Sequence, residues 1–87
     1  MNSKKYIHEV AVAARQSGIT IQVAHIVNAM NHLGYKTSYG SEYEGGRGSY
    51  TLIHATYDWL VSQGKQGDAD MVAMTYVKPD GSYAYAK

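Results

Sequence analysis

The sequence predicts an all-α fold: a small four-helix domain, helix-turn-helix-like, with a C-terminal turn and an extended tail. Two observations carry this. Four stretches repeat apolar residues at the three-and-four spacing of one helical face, and three of them run into a glycine just past their last apolar residue, at Gly18, Gly34 and Gly64, where helices commonly stop.

Residues 3–16 read as the first helix, with Ile7, Val10, Ala11 and Ala14 inward and Gly18 as terminator. Lys4 and Lys5 sit at the unfavourable end of its dipole, which costs a few tenths of a kcal/mol if they are unpaired; solvation is the expected reading and an outside partner its rival. After the bridge at Ile19, Thr20 is the expected N-cap of a second helix, because its hydroxyl can accept from an N–H of the first turn. Val23, Ile26, Val27, Met30 and Leu33 form the stripe of that helix, and Gly34 ends it.

Residues 34–48 then show no periodicity. A connection this long is uncommon in a compact domain unless it binds something or lacks order. Ser49 is the expected cap of the third helix, whose stripe is Leu52, Ile53, Tyr57 and Leu60 and whose stop is Gly64. Its opposite face carries Thr51, His54, Asp58 and Ser62, and Trp59 covers the core edge. Free N–H groups at the start Gly45-Gly46-Arg47-Gly48-Ser49 suit a phosphate or carboxylate.

The fourth helix is expected over residues 68–77, capped by Asp68, with Met71, Val72, Thr75 and Tyr76 on one face. A β-hairpin is the rival reading. Met74 and Tyr76 alternate, Lys78-Pro79-Asp80-Gly81 has turn chemistry, and Tyr83 and Tyr85 alternate after it, which would make a winged variant. Helix is preferred to about Val77, since Asp68, Asp70 and the alanines and methionines between 68 and 74 are poor strand formers.

Composition narrows the function classes. At 87 residues, one domain with one core is expected, leaving little room for a deep catalytic cavity. The chain has no cysteine, which excludes disulfides, thiolate metal sites and cysteine nucleophiles. No apolar run approaches the roughly 18 residues needed to span a bilayer, and residues 1–17 lack a signal-peptide core, so a cytoplasmic location and no membrane partner are expected. The net charge of +1, eight Lys and Arg against seven Asp and Glu, is far from the basic balance typical of nucleic-acid binders.

Nine tyrosines beside one tryptophan and no phenylalanine favour half-buried positions and recognition surfaces over a dry core. Tyr35, Tyr39, Tyr43 and Tyr50 cluster in or beside the long loop.

Two functions fit these features. In a helix-turn-helix reading, residues 22–33 support and residues 49–63 lie in a groove of DNA. Thr51, His54 and Tyr50 then face bases, while Lys36, Thr37, Ser38, Arg47 and Ser49 face phosphates. The run Val27-Asn28-Ala29-Met30-Asn31-His32-Leu33-Gly34-Tyr35-Lys36-Thr37, followed by Gly40, Tyr43 and a helix opening near Ser49, resembles the DNA-binding segment of serine recombinases and related phage regulators. It covers about a third of the chain. The resemblance implies a small regulator of phage or mobile-element type that binds DNA; the small size of the surface adds a homodimer as an expectation, which the sequence itself does not fix. This chain departs from the pattern in a longer loop carrying Glu42, Glu44 and three glycines.

The alternative is a small inhibitor or anti-defence protein that binds a host protein complex through Tyr35, Tyr39, Tyr43, Arg47 and Tyr50, residue types enriched at interface centres. Catalysis is not expected, nor a cofactor, a metal or a small-molecule substrate. His8, His25, His32 and His54 lack a nucleophile or second carboxylate at helical spacing. His25 and His32, seven apart, read as a polar face rather than a metal pair, and Arg47-Gly48-Ser49 is out of register for a phosphate-binding P-loop.

Overall fold

The computed structural model describes residues 3–37, 39–43 and 47–85, with backbone alone at 47 and 48. Four helices form: α1 (Ser3–Ser17), α2 (Val23–His32), α3 (Arg47–Ser62) and α4 (Gln66–Thr75). Two two-residue strands, β1 (Ile21–Gln22) and β2 (Tyr76–Val77), pair in parallel with Ile21 opposite Tyr76 and Gln22 opposite Val77.

The glycine stops are where the spacing puts them. At Gly34 (φ +89°) and Gly64 (φ +75°) the chain takes a left-handed turn that glycine adopts without a Cβ clash. The closing bonds match at both ends: Tyr35 N donates to Met30 O at 2.9 Å and Gly34 N to Asn31 O at 3.1 Å, as Lys65 N donates to Leu60 O at 2.9 Å and Gly64 N to Val61 O at 3.0 Å.

The helix starts differ from the sequence reading. Thr20 does not cap α2, because β1 is drawn into its pairing with β2 and the cap position falls to Gln22, which makes no side-chain cap bond. Ser49 is the third residue of α3 rather than its cap, and is buried. Lys65 occupies the cap position of α4, leaving Asp68 in the first turn, where a carboxylate is favoured by the dipole. Leu33, placed on the inner stripe, is half exposed at the C-cap of α2.

Both readings of the C-terminal part hold in pieces. α4 ends at Thr75, two residues early, and Tyr76 turns extended (φ −93°, ψ 128°). A tight turn follows: Gly81 N donates to Lys78 O at 2.9 Å, Lys78 N to Ser82 O at 2.7 Å, and Val77 makes an antiparallel bridge with Tyr83.

α1 and α4 run side by side in the same direction, since His8 meets Asp68 and Arg15 Nε donates to Thr75 Oγ1 at 3.1 Å. The core draws on all four helices: Ile7 and Ala11, then Val23, Ile26, Val27 and Met30, then Ile53, Tyr57 and Leu60, then Ala69 and Val72. Tyr76 is the largest fully buried side chain, and its hydroxyl donates to the Ile7 carbonyl at 2.6 Å. Two buried threonines settle their hydroxyls locally, Thr56 on Leu52 O at 2.8 Å and Thr75 on Met71 O at 2.7 Å, so neither polar group is stranded in the core.

Candidate binding surface

The long loop is anchored, and its tyrosines divide into structural and free ones. Asn31, on the last turn of α2, clamps the backbone of Tyr43: its Nδ2 donates to Tyr43 O at 2.7 Å, and Tyr43 N donates to its Oδ1 at 2.8 Å. The Tyr43 hydroxyl shares a hydrogen bond of 2.8 Å with Ser3 Oγ at the start of α1. Tyr35 lies against Tyr6, with ring centroids 5.1 Å apart. Tyr35 and Tyr43 are therefore half-buried and packed against the core.

Between them, Thr37 is joined by hydrogen bonds to Tyr39, Gly40 and Ser41. Thr37 N donates to Ser41 O at 2.8 Å and Gly40 N to Thr37 O at 2.9 Å. The Thr37 hydroxyl accepts from Tyr39 N and Ser41 N, each at 3.3 Å, and bonds Ser41 Oγ at 2.9 Å. Tyr39 stands out at 95 % exposure. Lys36 is exposed and faces Glu42, Nζ to Oε1 3.8 Å, so its charge is partly answered on the loop itself. Ser38 lies outside the described residues, as do residues 44–46 and the side chain of Arg47.

On α3 the expected DNA-facing residues are not equally available. Thr51 is exposed, and Asp58 and Ser62 follow it on the outside of the helix. Ser49 is 1 % exposed, which overturns its expected phosphate-facing role. Tyr50 is half-buried, with Lys78 Nζ 5.6 Å from its ring centroid. His54 is half-buried beside Tyr85, centroids 4.8 Å apart, and Tyr85 stacks on Tyr57 at 3.9 Å with an 18° tilt. Gln66 Nε2 donates to the Tyr57 hydroxyl at 3.0 Å, tying this aromatic group to the start of α4. Desolvation by these neighbours, then the charges of Tyr57 and Asp58, raise the Tyr85 phenol above its ordinary value.

The contacts thus sort the candidate residues into two groups. In the loop group, Tyr35 and Tyr43 are tied to α1 and α2, and Lys36 and Thr37 to neighbours within the loop. The α3 group, Tyr50 and His54, is tied to the C-terminal segment. Sequence reasoning missed Asn31, Lys78 and Tyr85, whose roles depend on partners remote in the chain; the turn signal at Lys78-Pro79-Asp80-Gly81 was visible, its position against α3 was not.

Of the histidines, His8 Nε2 lies 3.2 Å from Asp68 Oδ2 across the α1–α4 contact, yet the angle is too poor for a hydrogen bond. His25 and His32 are exposed on α2. Among the described residues no group of three or more His, Cys, Asp or Glu is placed to hold a metal, and no helix is long and apolar enough to cross a membrane. Neither a protein-family model, nor a curated protein, nor a solved structure matches this chain.

Proposed function

We propose that the protein is a small DNA-binding regulator of phage or mobile-element type, with α3 laid against the duplex and α2 behind it. The observation that carries this reading is the outer face of α3. Its apolar residues Ile53, Tyr57 and Leu60 are inside, and Thr51 is exposed with Asp58 and Ser62 beyond it. One helix supports and the next presents a strip of short side chains that a groove can approach closely.

In this reading Thr51 meets a base edge, Lys36 and Thr37 meet backbone phosphates, and Arg47 stands at the start of α3. Ser49 leaves the set because it is buried, and Tyr50 and His54 contribute only their uncovered edges. The net charge of +1 implies that few phosphates are neutralised, so the fall of affinity with salt is shallow. A surface this small works best duplicated, in a homodimer reading two half-sites. The chain carries no chemical step in this role.

A mobility-shift titration against mixed-sequence duplex DNA, begun at low salt and repeated as salt is raised, tests the proposal. Binding with a small negative slope, weakened for all sequences by Arg47→Ala, is expected. A slope of zero, or an Arg47→Ala protein indistinguishable from wild type, removes it.

Tyr39 favours a second reading, an inhibitor or anti-defence protein docking on a host protein. An aromatic ring presented at 95 % exposure, its backbone amide bonded to the Thr37 hydroxyl, is a preorganised anchor for a pocket. Recovery of one host protein from a bacterial lysate by wild type but not by Tyr39→Ala supports it; equal recovery by both counts against it. Tyr43 is less suited to that comparison because its side chain packs on the core and bonds Ser3, so its removal also disturbs the fold.

A further inference from the structure

Among the described residues, Lys78 is a cation held beside α3 by a ring contact. It opens the 78–82 turn, and its ammonium lies 5.6 Å from the ring centroid of Tyr50, in the first turn of α3. Tyr50 follows Arg47 by three residues, so one helical turn carries both the arginine and the ring on which the lysine rests.

The turn also carries an ionised acid, Asp80, whose charge Lys78 has to outweigh. Asp80 Oδ1 accepts from Ser82 N at 2.9 Å and from Ser82 Oγ at 2.6 Å, and these bonds, more than the charge of Lys78, keep the Asp80 carboxyl below its ordinary value. Asp80 is thus bonded to Ser82 within the turn, while Lys78 reaches across to α3. The turn backbone is closed at both ends by Lys78 N to Ser82 O and Gly81 N to Lys78 O, and the bridge from Val77 to Tyr83 ties it to β2. A lysine on such a base, with its ammonium over an aromatic face, loses less freedom on meeting an anion than one on a loose segment.

We propose that Lys78 is a further phosphate-contacting residue, presented by the 78–82 turn beside the start of α3, and that Tyr50 is the seat that positions it. This rests on the DNA reading above. It gives the duplex a contact from the C-terminal segment, on the side of α3 where Tyr50 was expected to meet bases directly. Tyr50 acts through the lysine, as a positioning residue.

The test is salt-dependent binding of one mixed-sequence duplex, measured by fluorescence anisotropy for wild type, Lys78→Ala, Lys78→Arg and Tyr50→Leu, with Lys65→Ala as control. Lys65 follows the far end of α3, a 16-residue helix and so about 24 Å long. Lys78→Ala is expected to weaken binding to every sequence by the same factor and to lower the salt slope by about 1. Lys78→Arg should keep the slope, Tyr50→Leu should lose part of it with melting temperature checked in parallel, and Lys65→Ala should match wild type. Wild-type binding with an unchanged slope in Lys78→Ala, or an equal loss in Lys65→Ala, overturns the assignment and leaves the DNA reading standing. Wild type that shows no salt-dependent binding overturns both.

Discussion

Asn31 holds Tyr43 by both ends of its side-chain amide, donating to the Tyr43 carbonyl at 2.7 Å and accepting from the Tyr43 amide at 2.8 Å. The pairing mimics one rung of a β-ladder and fixes the far side of the long loop to the last turn of α2. Two part-buried hydrogen bonds contribute about 1–3 kcal/mol together. Asn31→Leu should therefore lower the melting temperature by roughly 5–15 °C in a domain of this size and expose the loop to proteolysis. Asn31→Asp keeps the acceptor and loses the donor, so it should fall between the two. A protein with Asn31→Leu that melts and resists protease like wild type would show that the clamp is dispensable.

A second cross-link joins the ends of the fold. The Tyr76 hydroxyl donates to Ile7 O at 2.6 Å inside the core. Its burial, and to a smaller extent the neighbouring charge of Tyr6, raises the phenol above its ordinary value of 10.0. The folded protein resists losing this proton more than the unfolded chain does. The stability it contributes is thus whole below about pH 10 and declines as pH rises beyond that point. Tyr76→Phe should cost about 1–2 kcal/mol at neutral pH and flatten the alkaline limb of a stability-against-pH curve. Urea melts of both proteins between pH 8 and about pH 11 decide it, and parallel alkaline limbs would rule the mechanism out.

How much of this was readable beforehand differs between helix ends and helix starts. The stops were legible because a stripe of apolar residues followed by glycine is a local signal, and Gly34 and Gly64 close their helices by local bonds. The starts were not. Thr20 loses its cap role because Ile21 and Gln22 pair with Tyr76 and Val77, which lie at the other end of the chain. On the candidate surface, the exposure of Tyr39 and Thr51 followed from their positions off every apolar stripe. The covering of His54 by Tyr85 and of Tyr50 by Lys78 did not, because each needs the C-terminal segment to fold back onto α3.

Two glycines one turn apart should respond to alanine with opposite signs. Gly64 has φ +75°, and although an added Cβ would meet nothing within 4 Å, an L-residue in that conformation costs about 1 kcal/mol. Gly67 lies in α4 with ordinary helical φ and the same open space, so Gly67→Ala should gain about 0.5–1 kcal/mol from helix propensity and a less free unfolded chain. Thermal denaturation should place Gly64→Ala below wild type and Gly67→Ala above it. The same order for both would contradict the left-handed assignment at Gly64.

In the DNA reading, the unequal cover on α3 ranks its residues. Thr51 is exposed, whereas one side of the His54 ring is occupied by Tyr85 at 4.8 Å. A direct base contact contributes about 1–3 kcal/mol of discrimination against the wrong base, and only an accessible side chain can supply it. Thr51→Ala should thus flatten the sequence preference measured on a randomised duplex library more than His54→Ala does. Tyr85→Ala should reverse part of that order by freeing the imidazole, giving His54 a preference that the double variant with His54→Ala lacks. If His54→Ala broadens the preferred sequence while Thr51→Ala leaves it intact, the face of α3 that meets the duplex is the one under Tyr85, and the tail must move aside for binding.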